Sequence, residues 1–480
     1  MIRLLFMLVL FGVAFPAAAA TDHGTLAAPF EWPTRELFFE TLLLKDYNTR
    51  VVTLGVLIQG LACGVIGPLL LLRKRSLMGD VLSHAAMPGI ALAFIIMTVL
   101  GGSGKSLAGL QIGAILTSLL GVGTVIFIRA NTRLKEDAAL AVVLSLSFGI
   151  GVALLGLIQN MSGSNAAGLE GFIYGKTASM ILSESYRIAI VAGFIVLAVI
   201  LFFKEFQLLC FDQNYAASLG WPILGLDLLL MGLVVIITVV GMQAVGMILM
   251  VALLIIPAAA ARFWTDRLRN TLIISGLIGA VSGWMGAVWS ALIAKLPAGA
   301  VIVLVCGVFF GISFFFGTKR GVLIQLTRHF RFQLRIAEQN LLRAFYELLE
   351  KRNVLPEDLG EDSPPAVLDL DALMEVRAWD HRRQLHRIVR TSIKKGWLFE
   401  RGTGCYSFTR NGMEEAVRVV RNHRLWEAYL IKYADIATSQ VDHEADRIEH
   451  VLDPALVREL ERSVLGESAH INIPGIRSHV

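Results

Sequence analysis

Long apolar runs alternate with short polar connections over the first two-thirds of the chain. Each run is close to the roughly 20 residues that an α-helix needs to cross a bilayer. Nine such runs are present, at Val51–Leu72, Val81–Leu100, Leu107–Ile128, Ala138–Ile158, Ile188–Phe203, Ile223–Val240, Val245–Ala261, Leu272–Ile293 and Ala298–Phe316. The pattern predicts an all-α polytopic membrane bundle of about nine transmembrane helices.

The amino terminus has the order of a secretory signal. Arg3 precedes the apolar stretch Leu4–Phe15, and small residues follow at Pro16–Ala20. A basic region, an apolar region and a small-residue cleavage site define such a signal. We therefore expect a signal peptide at residues 1–20 and an extracytoplasmic segment at residues 21–50. An uncleaved extra helix is the alternative, although the apolar part is shorter than a span.

The charges in the connections predict how the bundle is oriented. Positive residues are concentrated in alternate connections, at Arg73, Lys74, Arg75, Arg129, Arg133, Lys135, Lys204, Arg262, Arg267, Arg269, Lys319 and Arg320. The positive-inside rule assigns these connections to the cytoplasm. With a secreted amino terminus and an odd number of spans, the segment after Gly317 is cytoplasmic too. We therefore expect a multi-pass protein of the inner or plasma membrane.

Composition supports two domains of different physical class. Hydrophobic residues make up 55% of the chain, and the mean hydropathy is +0.66. From Thr318 onward the apolar runs stop and charged residues appear every few positions, as in a soluble domain. The four cysteines form no CxxC motif or disulfide framework.

One short motif imitates a nucleotide-binding loop. Gly101–Ser106 resembles the end of a P-loop, but Val99 stands where the first glycine of that motif is required. We interpret it as a flexible turn. Since no nucleophile and base are paired in the sequence either, we expect a protein that is not an enzyme and needs no organic cofactor.

The second apolar run carries the first candidate site. Asp80 and His84 are four residues apart, so they share one face of a helix. A carboxylate and an imidazole suit a borderline divalent cation, and ionisable groups inside an apolar segment are costly unless they have a function. The alternative is that Asp80 lies at the membrane edge and pairs with Arg73 or Arg75, while His84 caps a neighbouring helix.

The same run resembles the signature of the zinc, manganese and iron ABC permeases of the TroC, MntB and ZnuB type. The signature Gly-Asp-x-x-Ser-His-Ala-x-x-Pro-Gly-x-Ala matches Gly79–Ala91, and further similarity lies in Asp212–Pro222 and Leu253–Arg262. The resemblance implies that Asp80 and His84 lie on the metal path. It also implies a dimer, either of this chain or with a paralogous permease, a separate ATP-binding subunit and an extracytoplasmic metal-binding protein. It assigns the coupling to the ATPase to Tyr215, Ala216, Leu219 and Gly220.

A secondary transporter is the competing interpretation of the bundle. The transported ion is expected to be manganese or iron, with zinc also compatible, since Asp and His ligands accept all three.

The segment after the bundle has the pattern of a winged helix. A helical repeat covers Gln333–Lys351, two further helices are expected at Leu368–Val376 and His381–Lys395, and short strands at 396–400 and 406–409. We divide this part into a basic cytoplasmic connector at 318–335, a winged-helix DNA-binding domain at 336–412 and a helical dimerisation and metal-binding subdomain at 413–480. The connector is basic enough to be a place where the tail is released by cleavage.

The expected second helix of this motif is strongly basic. We expect its DNA contacts at Arg382, Arg383, Gln384, Arg387, Arg390 and Lys394. Basic side chains on one helix suit the phosphates of a duplex. Contact with anionic lipid is the alternative, because the helix follows a membrane domain.

The tail resembles the DtxR/MntR family of metal-dependent repressors, from about Arg335 to Ile476. The matching segments are Phe345–Leu348, Ile393–Leu398, Phe408–Gly412, Arg421–Glu427 and His443–His450. The resemblance assigns metal-binding positions to His423, Asp446, Glu449 and His450, and an ancillary metal to Glu427 and Asp442.

The tail departs from its family at two positions of its first helix. The positions that supply ligands in the family hold Asn340 and Arg343 here, and an arginine cannot bind a cation. We expect a divalent-metal permease with a metal-responsive repressor-like tail. The alternative is a permease whose degenerate tail serves only dimerisation or regulatory docking.

Overall fold

The computed structural model describes residues 35–100, 106–160, 175, 177–293, 296–352, 368–369, 373, 382–402, 404–433 and 454–464. The expected signal peptide at residues 1–20 lies outside this part of the chain. The chain divides into two compact units, Met1–Gln325 and Leu326–Val480. Each unit is described by itself.

The first unit is a bundle of apolar helices. Its elements are α1 (Arg35–Leu42), α2 (Tyr47–Leu72), α3 (Met78–Val99), α4 (Leu107–Asn131), α5 (Glu136–Asn160), α6 (Leu182–Leu201), α7 (Phe203–Phe211), α8 (Gln213–Ser218), α9 (Ile223–Val245), α10 (Met247–Ala261), α11 (Leu268–Leu292) and α12 (Ala298–Phe316). Ion pairs and hydrogen bonds join the connections that follow α2, α4 and α6 at one end of the bundle, which we call the basic end.

The membrane bundle predicted from the apolar runs is confirmed. Within the described residues, eight helices are long and apolar enough to cross a membrane. The ninth predicted run forms the shorter helix α10, whose 15 residues reach only about 22 Å. It starts after Gly246, which has a φ of 84° and separates α10 from α9. Glycine adopts this left-handed conformation without the steric penalty of other residues.

Small residues bring the central helices together. A Cβ atom on Gly60 of α2 would clash with the carbonyl oxygen of Gly279 on α11, and one on Gly64 would clash with that of Ser275. The same relation holds between Gly89 of α3 and Gly113 of α4. Close approach through glycine is the usual way in which membrane helices gain packing contacts. These glycines therefore serve the packing of neighbouring helices.

The second unit contains the helix α13 (Val322–Lys351) from residue 326 onward, and six further elements follow in the described residues. They are the strand β1 (Leu368–Asp369), the helix α14 (Arg382–Lys394), the strands β2 (Leu398–Gly402) and β3 (Cys405–Phe408), and the helices α15 (Arg410–Tyr433) and α16 (Pro454–Val464). The strands form an antiparallel sheet in the order β1-β3-β2. Apolar side chains of α13, α14, α15 and the sheet enclose one core. A small hairpin after a basic helix agrees with the predicted winged-helix layout.

Two details of the tail differ from the sequence-based expectation. Leu368 and Asp369 were expected to begin a helix, but they form β1 and pair with Tyr406 and Cys405. The backbone partners on β3 decide this, because two residues have no helical preference strong enough to compete. The expected connector at 318–335 is helical from Val322 onward, so a cut there would have to open a helix.

Candidate functional site

Asp80 and His84 lie on one face of α3, as their spacing predicted. Asp80 is in the first turn, and its Oδ1 is 3.5 Å from His84 Nε2. The Asp80 side chain is 39% exposed and that of His84 is 18% exposed. His84 Nδ1 is buried and has no hydrogen-bond partner among the described residues, while the ring meets Phe148 of α5 edge-on at 5.2 Å. A carboxylate and an imidazole are therefore placed together on an apolar helix.

The arginines that could have neutralised Asp80 are occupied elsewhere. Arg73 Nη2 donates to Asp227 Oδ1 at 2.8 Å, and Arg75 Nη1 donates to Asp227 Oδ2 at 2.7 Å. Arg75 Nε also pairs with Glu136 at the start of α5. The geometry therefore speaks against the alternative in which Asp80 is only the ion-pair partner of Arg73 or Arg75.

This buried ion network connects several helices at the basic end. Arg73 and Arg75 lie in the connection between α2 and α3, Asp227 in α9, and Glu136 also faces Arg129 of α4 at 3.5 Å. Arg73 Nη1 further donates to the carbonyl oxygen of Leu209 in α7 at 3.2 Å. Removing one partner from such a network leaves an uncompensated buried charge, which costs about 3–5 kcal/mol. The network therefore holds the start of α3, which carries Asp80, to α7 and α9.

The short helix α8 presents an apolar surface next to this network. Asp212 caps it by accepting a hydrogen bond from the Tyr215 backbone N–H at 2.9 Å, and Gly220, with a φ of 82°, lets the chain turn away. Ala216 is buried, whereas the side chains of Tyr215 and Leu219 are largely exposed. Of the four residues assigned to coupling, Ala216 is buried and anchors the helix, Tyr215 and Leu219 are exposed, and Gly220 forms the turn.

In the tail, the structure covers only part of the predicted metal set. Asp442, Asp446, Glu449 and His450 lie outside the described residues. His423 on α15 is buried, its Nε2 is 3.0 Å from Glu427 Oε1, and its Nδ1 is 2.8 Å from Nη1 of Arg343 on α13. Among the described residues, no group of three or more His, Cys, Asp or Glu side chains could hold a metal ion. The described residues around His423 do not fit a divalent cation as they stand.

The basic helix α14 separates an apolar face from a charged one. Leu385, Ile388 and Val389 are buried in the core of the second unit. The exposed face carries His386, Arg387, Arg390 and Lys394. Arg382, Arg383 and Gln384 belong to the helix, but their side chains are outside the described part. The arrangement leaves basic side chains accessible to a polyanion.

Sequence reasoning missed the ion network at the basic end. It counted Arg73 and Arg75 only as cytoplasmic charges and included Asp227 in an apolar span without comment. The signal that could have found the network is Asp227 itself, because a lone acid inside an apolar run normally has a charged partner. Its two partners lie more than 150 positions away in the sequence.

Two family models match the chain. The model described as ABC 3 transport family covers residues 45–317, and the model described as iron dependent repressor, metal binding and dimerisation domain covers residues 409–466. The first match contains Asp80, His84 and the helix α8. The second contains His423 and Glu427, whereas Arg343 precedes it in the chain.

Curated relatives and a solved structure agree with the first match. The manganese transport system membrane protein MntC of Bacillus subtilis is 34% identical over 403 residues, which are 84% of this chain and 88% of that protein. The zinc transport system membrane protein TroC of Treponema pallidum is 39% identical over 61% of this chain and 96% of its own. The PsaBC structure from Streptococcus pneumoniae, in complex with Fab, has a TM-score of 0.51 at 30% identity and covers 59% of this chain and 96% of the matched one.

These similarities extend over both units. The 403 residues matched by the Bacillus subtilis protein exceed the 325 residues of the first unit, so the match continues into the second. The family model alone covers more than half of the chain, including every helix from α2 to α12. The chain is a multi-pass membrane permease, and it belongs to the ABC 3 transport family.

Proposed function

We propose that this protein is the permease subunit of an ATP-driven importer for a divalent transition metal, with manganese or iron favoured and zinc also compatible. The observation that carries this proposal is the pair of Asp80 and His84 on α3, where an unpaired imidazole nitrogen accompanies a carboxylate. Oxygen and nitrogen ligands suit manganese, iron and zinc. The named substrates of the relatives, manganese and zinc, support the same class of ion.

One pair of ligands does not complete the coordination shell of a divalent cation, which takes four or more ligands. A second permease copy, identical or paralogous, would supply further ligands together with water. An extracytoplasmic metal-binding protein would deliver the ion from the other side of the membrane.

The helix α8 is the docking element for a separate ATP-binding subunit. Its exposed Tyr215 and Leu219 form an apolar surface at the basic end, which we assign to the cytoplasm by the positive-inside rule. Nucleotide-driven movement of the partner would reach α3 through Arg73, which touches α7, and through Asp227. The permease itself supplies no ATP chemistry in this scheme.

The tail adds a nucleic-acid-binding function at the cytoplasmic face. The exposed basic side of α14 and the adjoining hairpin support contact with the phosphates of a duplex. The match to the metal binding and dimerisation domain of a repressor supports a regulatory role in which two tails associate. Dimerisation or docking without DNA is the alternative for this unit.

The transport proposal is tested in proteoliposomes that contain the full chain and the ATP-binding subunit. We expect manganese uptake that requires ATP and the partner subunit, and loss of that uptake when Leu219 is replaced by Glu. Arg320→Gln, which removes the exposed ion pair with Asp266, serves as the control. Uptake driven by an ion gradient without the ATPase would identify a secondary transporter.

A further inference from the structure

Arg343 is a buried arginine at a position that supplies a metal ligand in the family that the tail resembles. It is only 5% exposed, and it lies on α13 between two acceptors. Its Nε donates to Glu347 Oε1 at 2.5 Å, and its Nη1 donates to His423 Nδ1 at 2.8 Å. The contact with His423 joins α13 to α15 across 80 positions of sequence.

The arginine fixes the hydrogen bonding of the histidine. A guanidinium is only a donor, so His423 Nδ1 must be the unprotonated, accepting nitrogen. The proton of the neutral ring is then on Nε2, which lies 3.0 Å from Glu427 Oε1 and donates to it. Both ring nitrogens are used, and the lone pair that a metal ion would need is already directed at a cation.

We propose that the Arg343 guanidinium takes the place of the metal ion in this tail. This guanidinium bridges α13 and α15 through His423 and balances the charge of Glu347. The helix pair is therefore held together without manganese or iron. The tail is therefore assembled constitutively, although its sequence belongs to a metal-binding and dimerisation domain. The proposal concerns the second unit alone and does not rest on the proposed transport function.

A second contact between the same helices provides a matched control. Arg424 Nη2 of α15 donates to Glu350 Oε2 of α13 at 2.5 Å, about one turn beyond Glu347. Replacing Arg424 weakens the same helix pair but leaves the His423 lone pair covered. Comparing variants at the two arginines therefore distinguishes a general loss of helix packing from the specific exposure of the His423 lone pair.

The test is hydrogen–deuterium exchange of the full-length protein in lipid nanodiscs, read on peptides from residues 410–433. The probe is manganese alone, compared with a chelator. In the wild type we expect exchange to be the same in manganese and in chelator. In Arg343→Ala we expect exchange in chelator to be roughly tenfold faster or more, because a buried partner is lost, and we expect manganese to slow it again.

Further variants make the result decisive. Arg424→Gln should speed exchange without any response to manganese, and Arg343→Lys, which keeps a cation, should remain insensitive to manganese like the wild type. The proposal is overturned if manganese slows exchange in the wild type and His423→Gln abolishes that effect. It is also overturned if Arg343→Ala responds to manganese no more than Arg424→Gln does. The wild-type measurement alone decides the matter if Arg343→Ala does not fold.

Discussion

At the scale of single residues, the proposed transport path depends on Asp80 and His84. Asp80 differs from the acids of the ion network because it does not pair with Arg73 or Arg75. Those two arginines are held by Asp227 and Glu136. Placing a carboxylate and an imidazole on an apolar helix is costly, and transport of a cation is a function that requires both.

Replacing Asp80 or His84 by Ala should abolish metal uptake while the protein still inserts into the membrane. The ion loses a ligand, whereas removal of a polar group makes α3 easier to insert. We expect uptake to fall by more than about tenfold, measured with radioactive manganese at equal amounts of protein in the membrane. Normal uptake by a well-expressed double variant would show that the pair is not on the path.

At the scale of elements, the bundle depends on close helix contacts and on the ion network. The glycines of α2 and α11 allow their backbones to touch, and the network ties the connection between α2 and α3 to α5, α7 and α9. The first contact concerns stability, and the second concerns the route by which we propose that movement at α8 reaches α3.

Gly60→Ala should destabilise the bundle. The added methyl group meets the Gly279 carbonyl oxygen, so α2 and α11 must separate, at a cost of about 1–3 kcal/mol. Gly193→Ala on α6 is the matched control, since a Cβ there meets no atom within 4 Å. The thermal unfolding midpoint in detergent is the measurement. Equal midpoints for the two variants would contradict the packing argument.

Asp227→Asn should uncouple ATP hydrolysis from transport. It keeps the shape of the side chain but leaves the buried guanidinium groups of Arg73 and Arg75 with a weaker partner, which loosens the link between α7, α9 and α3. We expect more ATP hydrolysed per manganese ion transported, measured in proteoliposomes with the ATP-binding subunit. Asp266→Asn, which removes only an exposed ion pair with Arg320, should keep the wild-type ratio. An unchanged ratio in Asp227→Asn would argue against this route.

At the scale of the whole molecule, a membrane permease and a repressor-like unit occur in one chain. The basic face of α14 is accessible within its own unit, and α13 is helical from Val322, so the structure offers no irregular connector to cut at residues 322–335. We therefore expect the tail to act as part of the full-length protein.

The full-length protein in nanodiscs should bind duplex DNA with an affinity that falls steeply with salt. Arg387→Ala and Arg390→Ala should each weaken binding and lower the slope of log affinity against log salt by about 1, because each removes one phosphate contact. Metal uptake should not change. Arg418→Ala on α15 is a control with the same loss of charge outside α14. Binding to anionic vesicles but not to DNA would favour the lipid interpretation.

The sequence by itself determined the features that depend on local composition. Apolar runs of spanning length predicted the helices of the bundle, the four-residue spacing placed Asp80 beside His84, and the helical pattern at His381–Lys395 predicted α14. Turn and strand signals also located β2 and β3. These are properties of short segments, so they can be read without knowing what each segment contacts.

Only the tertiary structure decided which distant residues meet. Asp227 accepts a hydrogen bond from Arg75, which lies 152 positions away in the sequence. Leu368 and Asp369 form a strand because β3 offers backbone partners. Arg343 donates a hydrogen bond to His423 on another helix. Sequence showed that an arginine stood at a ligand position, but not that it would cover the lone pair of the histidine. Such pairings depend on packing between elements, and a long-range contact leaves no periodic pattern in the chain from which it could be read.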